Sequence, residues 1–161
     1  MGLVLTWEKK VYAQAPEGLH QSVCADVVDL GIVDTQYGPK PRVRFVFQTE
    51  TEDPETHQRY LVFATFGKNL SPKGRLRPWL EAWRGRKLND AELAALDLEK
   101  LVGINAQLQV VHEMGNNGTE YANCQAIISC PKTMPKITVK DYVRSKDRQD
   151  SAPDDDSEVP F

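Results

Sequence analysis

Basic residues are concentrated in one stretch of this 161-residue chain, and their chemistry suits the binding of phosphates. Between Lys68 and Lys87 there are seven Lys or Arg residues and a single acid, Glu81. This stretch therefore carries a charge of +6 within a chain whose net charge is -3. Such a concentration of positive charge is typical of a surface that neutralises a nucleic-acid backbone. The alternative is a solvated helix face, because Lys and Arg are common surface residues of any helix.

Single-stranded DNA needs two kinds of contact, cations for its phosphates and exposed aromatic rings for its bases. The phosphate candidates lie on the second predicted strand and near the helical insert: Lys40, Arg42, Arg44, Lys68, Lys73, Arg75 and Arg77. The stacking candidates have a strand parity or turn position that could expose a ring: Tyr37, Tyr60, Phe66 and Tyr121. Each of these rings could instead pack in the core. The rings predicted to face inward are Phe45, Phe47 and Phe63.

The last residues of the sequence, DDDSEVPF, combine a run of acids with an apolar end. The partner-binding candidates are Asp154, Asp155, Asp156, Glu158, Val159, Pro160 and Phe161. A partner could hold the terminal ring in an apolar pocket and the carboxylate with a basic residue, while the aspartates raise the rate of encounter. The polar residues before this tip predict a flexible tether. An inert solubilising tail is the alternative.

Catalytic and metal chemistry find little support in the sequence. His20, His57 and His112 have no ligand spacing, and no Gly-rich phosphate loop or nucleophile motif is present. The three cysteines show no CxxC spacing, which favours reduced thiols over a zinc site. No apolar run approaches the roughly 18 residues that a membrane span needs, and the first residues lack the pattern of a signal peptide. We therefore expect a cytoplasmic protein that is not an enzyme and has no cofactor or metal.

Five strands are predicted to position the candidate residues. SVCADVVDLGIVDT reads as a first strand that bends near Gly31, and PRVRFVFQT alternates with a basic outer face. A polar acidic loop separates this second strand from the third, YLVFATF. The last two, INAQLQVVHEM and TEYANCQAIISC, are joined by the strong hairpin signal GNNG.

A helical insert is predicted between the third and fourth strands. Its apolar residues recur at the spacing of one helix face: Leu76, Trp79, Leu80 and Trp83. Pro78 is compatible only with the first helical turn, so the helix should begin near Arg77 and end at Gly85. A second short helix should begin with Asn89 as its N-cap and Glu92 three residues later.

This order of elements predicts a mainly β fold, a five-stranded OB-fold barrel with a helical insert between strands 3 and 4 and a disordered acidic C-terminal tail. OB folds bind oligonucleotides, although a fold alone does not fix a function. We expect an N-terminal arm at residues 1–20, a single-stranded DNA-binding domain at 21–139, and a flexible linker with an acidic tip at 140–161.

The acidic tip resembles that of bacterial and phage single-stranded DNA-binding proteins, which end in several acids, a short apolar residue and Pro-Phe. The stretches LSPKGRLRPWLEAWRGRKL and GTEYANCQAIISCPK are similar to short phage and prophage members. One departure is that Ser157 and Glu158 separate the aspartates from Val-Pro-Phe.

The resemblance implies sequence-independent binding and protection of single-stranded DNA in phage replication, recombination and repair within the cytoplasm of a bacterial host. It also implies that the tip recruits replication or recombination proteins, and it favours a homodimer. The alternative is an OB module that binds proteins and whose tail mimics the tip of the host single-stranded DNA-binding protein.

Overall fold

The computed structural model describes residues 14–114, 118 and 120–147, and one antiparallel sheet forms its framework. The five strands are β1 (Gly18–Thr35), β2 (Gly38–Glu52), β3 (Arg59–Gly67), β4 (Asn105–Met114) and β5 (Glu120–Ile128), in the order β3-β2-β1-β4-β5. Two helices, α1 (Leu76–Arg84) and α2 (Asp90–Ala94), and two short 3-10 turns, Leu98–Leu101 and Ser145–Asp147, complete the elements. The predicted mainly β architecture with five strands is confirmed. Within the described ranges, every helix is too short or too polar to cross a membrane.

The long strand β1 joins the two halves of the sheet. It pairs with β4 through its first residues and with β2 from Ser22 onward. The pairing with β2 shifts register twice, the second time between Asp29 and Gly31. Gly31 has φ 68, a left-handed conformation that costs glycine little. The predicted bend at this glycine is therefore confirmed, and the β1–β2 hairpin extends beyond the part of β1 that pairs with β4.

The core lies between the inner faces of β2 and β3 and the helix α1. Val43, Phe45 and Phe47 are buried, and the residues directly opposite them on β3 are Phe66, Ala64 and Val62. Directly opposite residues of an antiparallel pair share one face of the sheet, so β3 turns its even-numbered side chains inward.

Helix α1 lies across the space between the edge strands β3 and β5 and contributes Leu76, Leu80 and Trp83 to the core. The Trp83 indole N–H donates to the carbonyl of Asn105 at 2.9 Å, which ties the helix to β4. The helix ends at Gly85, whose φ is 87. Both the apolar stripe and this stop signal are as predicted.

Residues 135–147, which we call the strap, lie across the outer face of the sheet. Side chains of the strands bind the strap backbone: Gln21 donates to Pro135 and Arg59 donates to Thr138. The amides of Asn105 and Gln48 each donate to and accept from the backbone, at Ile137 and Lys140 respectively. These contacts accompany the burial of Val46 and Gln48, which the alternation of β2 placed on an open outer face.

The strap corrects one sequence-based boundary. Residues 140–161 were expected to form a flexible linker and tip, but residues 140–147 are bound to the sheet by the contacts of Lys140, Tyr142, Arg144 and Ser145. At the other end of the domain, the predicted arm 1–20 already contains the start of β1, and Ala15 is fully buried.

The strap is anchored at Asp26, a buried carboxylate of β1. It accepts hydrogen bonds from the Tyr142 hydroxyl at 3.0 Å, the Arg144 Nε at 2.9 Å and the Ser145 N–H at 2.8 Å. Burial alone raises the pKa of Asp26, but these three donors outweigh it and leave the pKa below its ordinary value. Arg144 also pairs with Glu99 at 2.8 Å, so one guanidinium joins two carboxylates.

We predict that Asp26→Ala destabilises the protein by about 3 kcal/mol, because it removes one partner of a buried ion pair. Asp29→Ala is the matched control, since Asp29 lies on the same strand in an exposed pair with Lys68, and we expect it to have little effect. Urea denaturation of the two variants measures the difference, and equal midpoints would contradict the anchoring role of Asp26.

The same anchor predicts a pH dependence. The unfolded Asp26 carboxyl has a pKa of about 3.9 and its folded pKa is lower, so its contribution is present above that value and is lost as the pH falls through the folded pKa. Below about pH 4 the wild type should therefore lose stability more steeply than Asp26→Ala.

Candidate nucleic-acid interface

Four side chains form an uncovered patch on the outer side of the sheet, which we call the β2–β3 face. They are Arg42 and Arg44 of β2 and Phe63 and Thr65 of β3. Arg44 lies directly opposite Thr65, and its guanidinium lies 5.8 Å from the centre of the Phe63 ring. The Phe63 side chain is 47% exposed. The face thus presents a cation beside an accessible aromatic ring.

A groove of about 690 Å³ adjoins this face, between the edge strands β3 and β5. Residues 63–66 of β3 and 123–127 of β5 line it, together with residues 74–75 and the α1 residues Pro78, Trp79 and Ala82. We call it the β3–β5 groove. Among the described residues, no acidic side chain lines it, and the lining includes the cation Arg75, whose guanidinium lies 5.7 Å from the centre of the Phe66 ring. These features suit an anionic ligand that also carries apolar or aromatic groups.

The groove lining includes two polar groups, the indole N–H of Trp79 and the thiol of Cys124. The Trp79 indole N–H is buried and has no hydrogen-bond partner among the described residues, although its ring belongs to the groove lining. Burial raises the pKa of the Cys124 thiol to about 12, so this side chain is neutral at physiological pH and is a poor nucleophile.

Ion pairs neutralise part of the basic stretch from Lys68 to Lys87. Lys68 pairs with Asp29 at 2.8 Å and lowers the pKa of that carboxyl through a hydrogen bond. Arg77 pairs with Glu81 at 3.5 Å. A third pair joins Arg84 and Glu92. Because exposed ion pairs are weak, Lys68 remains able to exchange its carboxylate for a phosphate.

The remaining cations of this stretch divide between two places. Lys73 is exposed and immediately precedes Gly74 in the groove lining, and Arg75 itself lines the groove. Arg86 and Lys87 are exposed beyond the end of α1. The basic stretch is therefore not one continuous surface, and only its first part adjoins the groove.

The structure separates the predicted stacking residues. Tyr37 lies in the β1–β2 turn and is 79% exposed, so its ring is accessible. Phe66 is 4% exposed and packs against Phe45 and Trp79, so the prediction of an exposed ring is wrong. Tyr60 is half-buried and packs against the core, which is the alternative that the sequence left open for this ring. The side chain of Tyr121 lies outside the described residues.

Phe63 was predicted to face the core, but its side chain is exposed, so that prediction is wrong. The cause is the same as for Phe66. YLVFATF carries apolar residues at both parities, so its alternation does not decide which side chains face the core. The pairing with β2 decides it, since Phe47 is opposite Val62 and Val43 is opposite Phe66. The exposed ring beside Arg44 is the site residue that the sequence did not reveal.

The remaining predicted phosphate contacts, Lys40 and Arg42, both lie on β2. Lys40 is exposed on β2 near the hairpin turn, and Arg42 is half-exposed two residues further along. Within β2 these two share the outward parity of Arg44. The predicted partner-binding tip, Asp154, Asp155, Asp156, Glu158, Val159, Pro160 and Phe161, lies outside the described residues.

Comparison with known proteins leaves the functional interpretation to the site itself. No protein-family model matches the chain, and a search of curated proteins found no significant match.

The two phenylalanines of β3 give a direct test of the site's construction. Phe66→Ala should cost about 3–5 kcal/mol, because it leaves a cavity in the core, whereas Phe63→Ala should cost under about 1 kcal/mol. Urea denaturation of both variants measures the two free energies of unfolding. A larger loss for Phe63→Ala would contradict the described register of β3.

Proposed function

We propose that this protein binds single-stranded DNA without sequence preference, through the β2–β3 face and the β3–β5 groove. One observation carries the proposal: Arg44 lies beside the exposed Phe63 ring, next to a groove whose described lining contains no acid. Cations meet phosphates and an aromatic ring stacks on any base, so neither contact depends on sequence.

We also propose that the sheet is a partly open OB barrel. The strand order supports this, since β1 pairs with both β2 and β4 and the two edge strands approach each other across the groove. The helical segment between β3 and β4 is a further point of agreement. OB folds bind oligonucleotides on the face of strands 2 and 3 and with the loop between strands 1 and 2. In this chain those elements carry Arg44, Phe63 and Tyr37.

The spacing of cations on β2 supports a path for a DNA backbone. Lys40, Arg42 and Arg44 occupy alternate positions, so their outward side chains are about 7 Å apart along the strand. Each long side chain can reach a different phosphate of an extended single strand. Within this arrangement Phe63 provides the stacking platform on the neighbouring strand.

The test is a titration of fluorescent oligo-dT at several salt concentrations. The log-log slope of affinity against salt should be near -0.7 per phosphate contacted. Arg42→Ala together with Arg44→Ala should weaken binding of every sequence alike and reduce the slope by about 1.4, the share of two contacts. Phe63→Ala should weaken binding by about 1–3 kcal/mol and leave the slope unchanged, because the ring has no charge.

Arg86→Ala is the matched control, since it removes an exposed arginine that lies beyond the end of α1. Its affinity and slope should equal those of the wild type. If the wild type shows no salt-dependent binding of oligo-dT at low salt, the proposal fails and the protein-binding alternative is favoured. A loss confined to one DNA sequence would also contradict non-specific coating.

We further propose that the acidic and apolar residues 154–161 form a ligand for replication or recombination proteins. The acids attract a basic rim, and the Phe161 ring fits an apolar pocket. Phe161→Ala should abolish recruitment in pull-downs from a bacterial extract and leave the affinity for oligo-dT unchanged. Ser157→Ala serves as the control, and recruitment by Phe161→Ala equal to that of the wild type would contradict this role.

A further inference from the structure

The strap carries more positive than negative side chains. Its basic residues are Lys136, Lys140, Arg144 and Lys146, and its acids are Asp141 and Asp147. The carboxylates of Asp26 and Glu99 neutralise Arg144. The three lysines are exposed. The strap thus presents charge to solvent from a segment whose backbone is fixed to the sheet.

Two of these lysines belong to the part of the strap that is bound to β1 and β2 beyond Arg44. The backbone of Lys140 is bound at both its N–H and its carbonyl by Gln48, which follows Arg44 on β2 by four residues, or about 13 Å. Lys146 follows Ser145, whose N–H is bound by Asp26. Asp26 is opposite Val46, the next outward position of β2 after Arg44. The strap is therefore bound at the outward positions of β2 that follow the β2–β3 face, Val46 and Gln48, both of which are buried.

The electrostatic surroundings leave both lysines able to bind an anion. The Lys140 Nζ lies 3.7 Å from the Glu52 carboxylate, and both side chains are about half exposed, at 53% and 42%. Such a surface pair is weak and readily exchanged. Lys146 lies in the neighbourhood of Glu99, whose pKa is lowered chiefly by the hydrogen bond from Arg144. That carboxylate is already satisfied by the guanidinium.

We propose that Lys140 and Lys146 form a second phosphate-binding surface that continues the β2–β3 face onto the strap. This inference rests on the proposed binding of single-stranded DNA. The ligand at the strap is the phosphodiester backbone rather than a base, because the Tyr142 hydroxyl is committed to Asp26 and the ring is half-buried. Since the strap backbone is held in place, these charges are pre-organised, and binding them costs less entropy than binding charges on a tether.

The distance along β2 from Lys40 to the strap determines how long an oligonucleotide must be to reach Lys140 and Lys146. From Lys40 to Gln48 the outer face of β2 extends about 26 Å, with the strap at the far end. A short oligo-dT of about 4 nucleotides can occupy the β2–β3 face alone, whereas one of about 16 nucleotides reaches the strap as well. Only the longer ligand should depend on the strap lysines.

The experiment measures the salt dependence of binding for both oligonucleotides with Lys140→Gln and Lys146→Gln combined. For the long ligand we expect the log-log slope to fall by about 1.4, the share of two phosphate contacts. For the short ligand we expect no change. Lys87→Gln is the matched control for an exposed lysine elsewhere, and thermal denaturation of each variant checks that the strap remains in place.

The possible failures are distinguishable. If Arg42→Ala with Arg44→Ala reduces the slope but the strap variant leaves it unchanged for the long ligand, the inference is overturned and the proposed function stands. An equal loss for the short and the long ligand would overturn the inference too, since it would indicate a general field rather than a contact. Absence of salt-dependent binding in the wild type would overturn both proposals.

Discussion

The packing of two tryptophans against three phenylalanines holds this domain together where its sheet provides no hydrogen bonds. In the described sheet β3 and β5 are edge strands, and a ladder between them is replaced by rings of α1. Trp83 contacts Phe45 and Phe47 with ring centres 6.1 and 5.3 Å apart, and Trp79 contacts Phe66 at 5.0 Å. Aromatic contacts of this kind add to the burial of large apolar surfaces. Helix α1 also contacts β5, so it spans the gap between the two edge strands, and Phe66 and Trp79 line the β3–β5 groove beside it.

The strap is held by the opposite arrangement. Side chains of the strands form hydrogen bonds with the backbone of the strap, whereas α1 is held by its own side chains. The amides of Gln48 and Asn105 each satisfy one donor and one acceptor of the strap, so these buried polar groups are paired as burial requires. Contacts to the backbone of Lys140 leave its side chain directed to solvent. A segment held in this way can vary its outward residues while keeping its position.

Sequence patterns predicted the elements that have a strong local signal. The bend at Gly31, the stop at Gly85 and the capping box of Asn89 with Glu92 all depend on residues close in sequence, and the structure contains each of them. The five strands were found for the same reason, since each is a distinct apolar run between turn residues.

Features that depend on distant residues were not predicted. Which face Phe63 and Phe66 occupy is decided by pairing with β2, and YLVFATF itself carries no preference. The strap reads as a polar tether because its position is determined by Asp26, Gln48 and Asn105, which are far away in sequence. The composition of the strap indicates only that it has little apolar surface to bury. Its position on the sheet is determined by the side chains of Asp26, Gln48 and Asn105.

The two pairings of β1 have a consequence for how the chain folds. Strands β1, β2 and β3 are joined by short connections, so their meander closes only small loops. The pairing of β1 with β4 joins Cys24 to Gly103 and Ile104, whose backbone groups exchange hydrogen bonds of 2.8 and 3.0 Å across about eighty intervening residues. Closing that longer loop costs more chain entropy, and non-local contacts of this kind slow folding. We therefore expect the meander to form early and the docking of β4 to limit the rate, with Cys24 at the junction between the two stages.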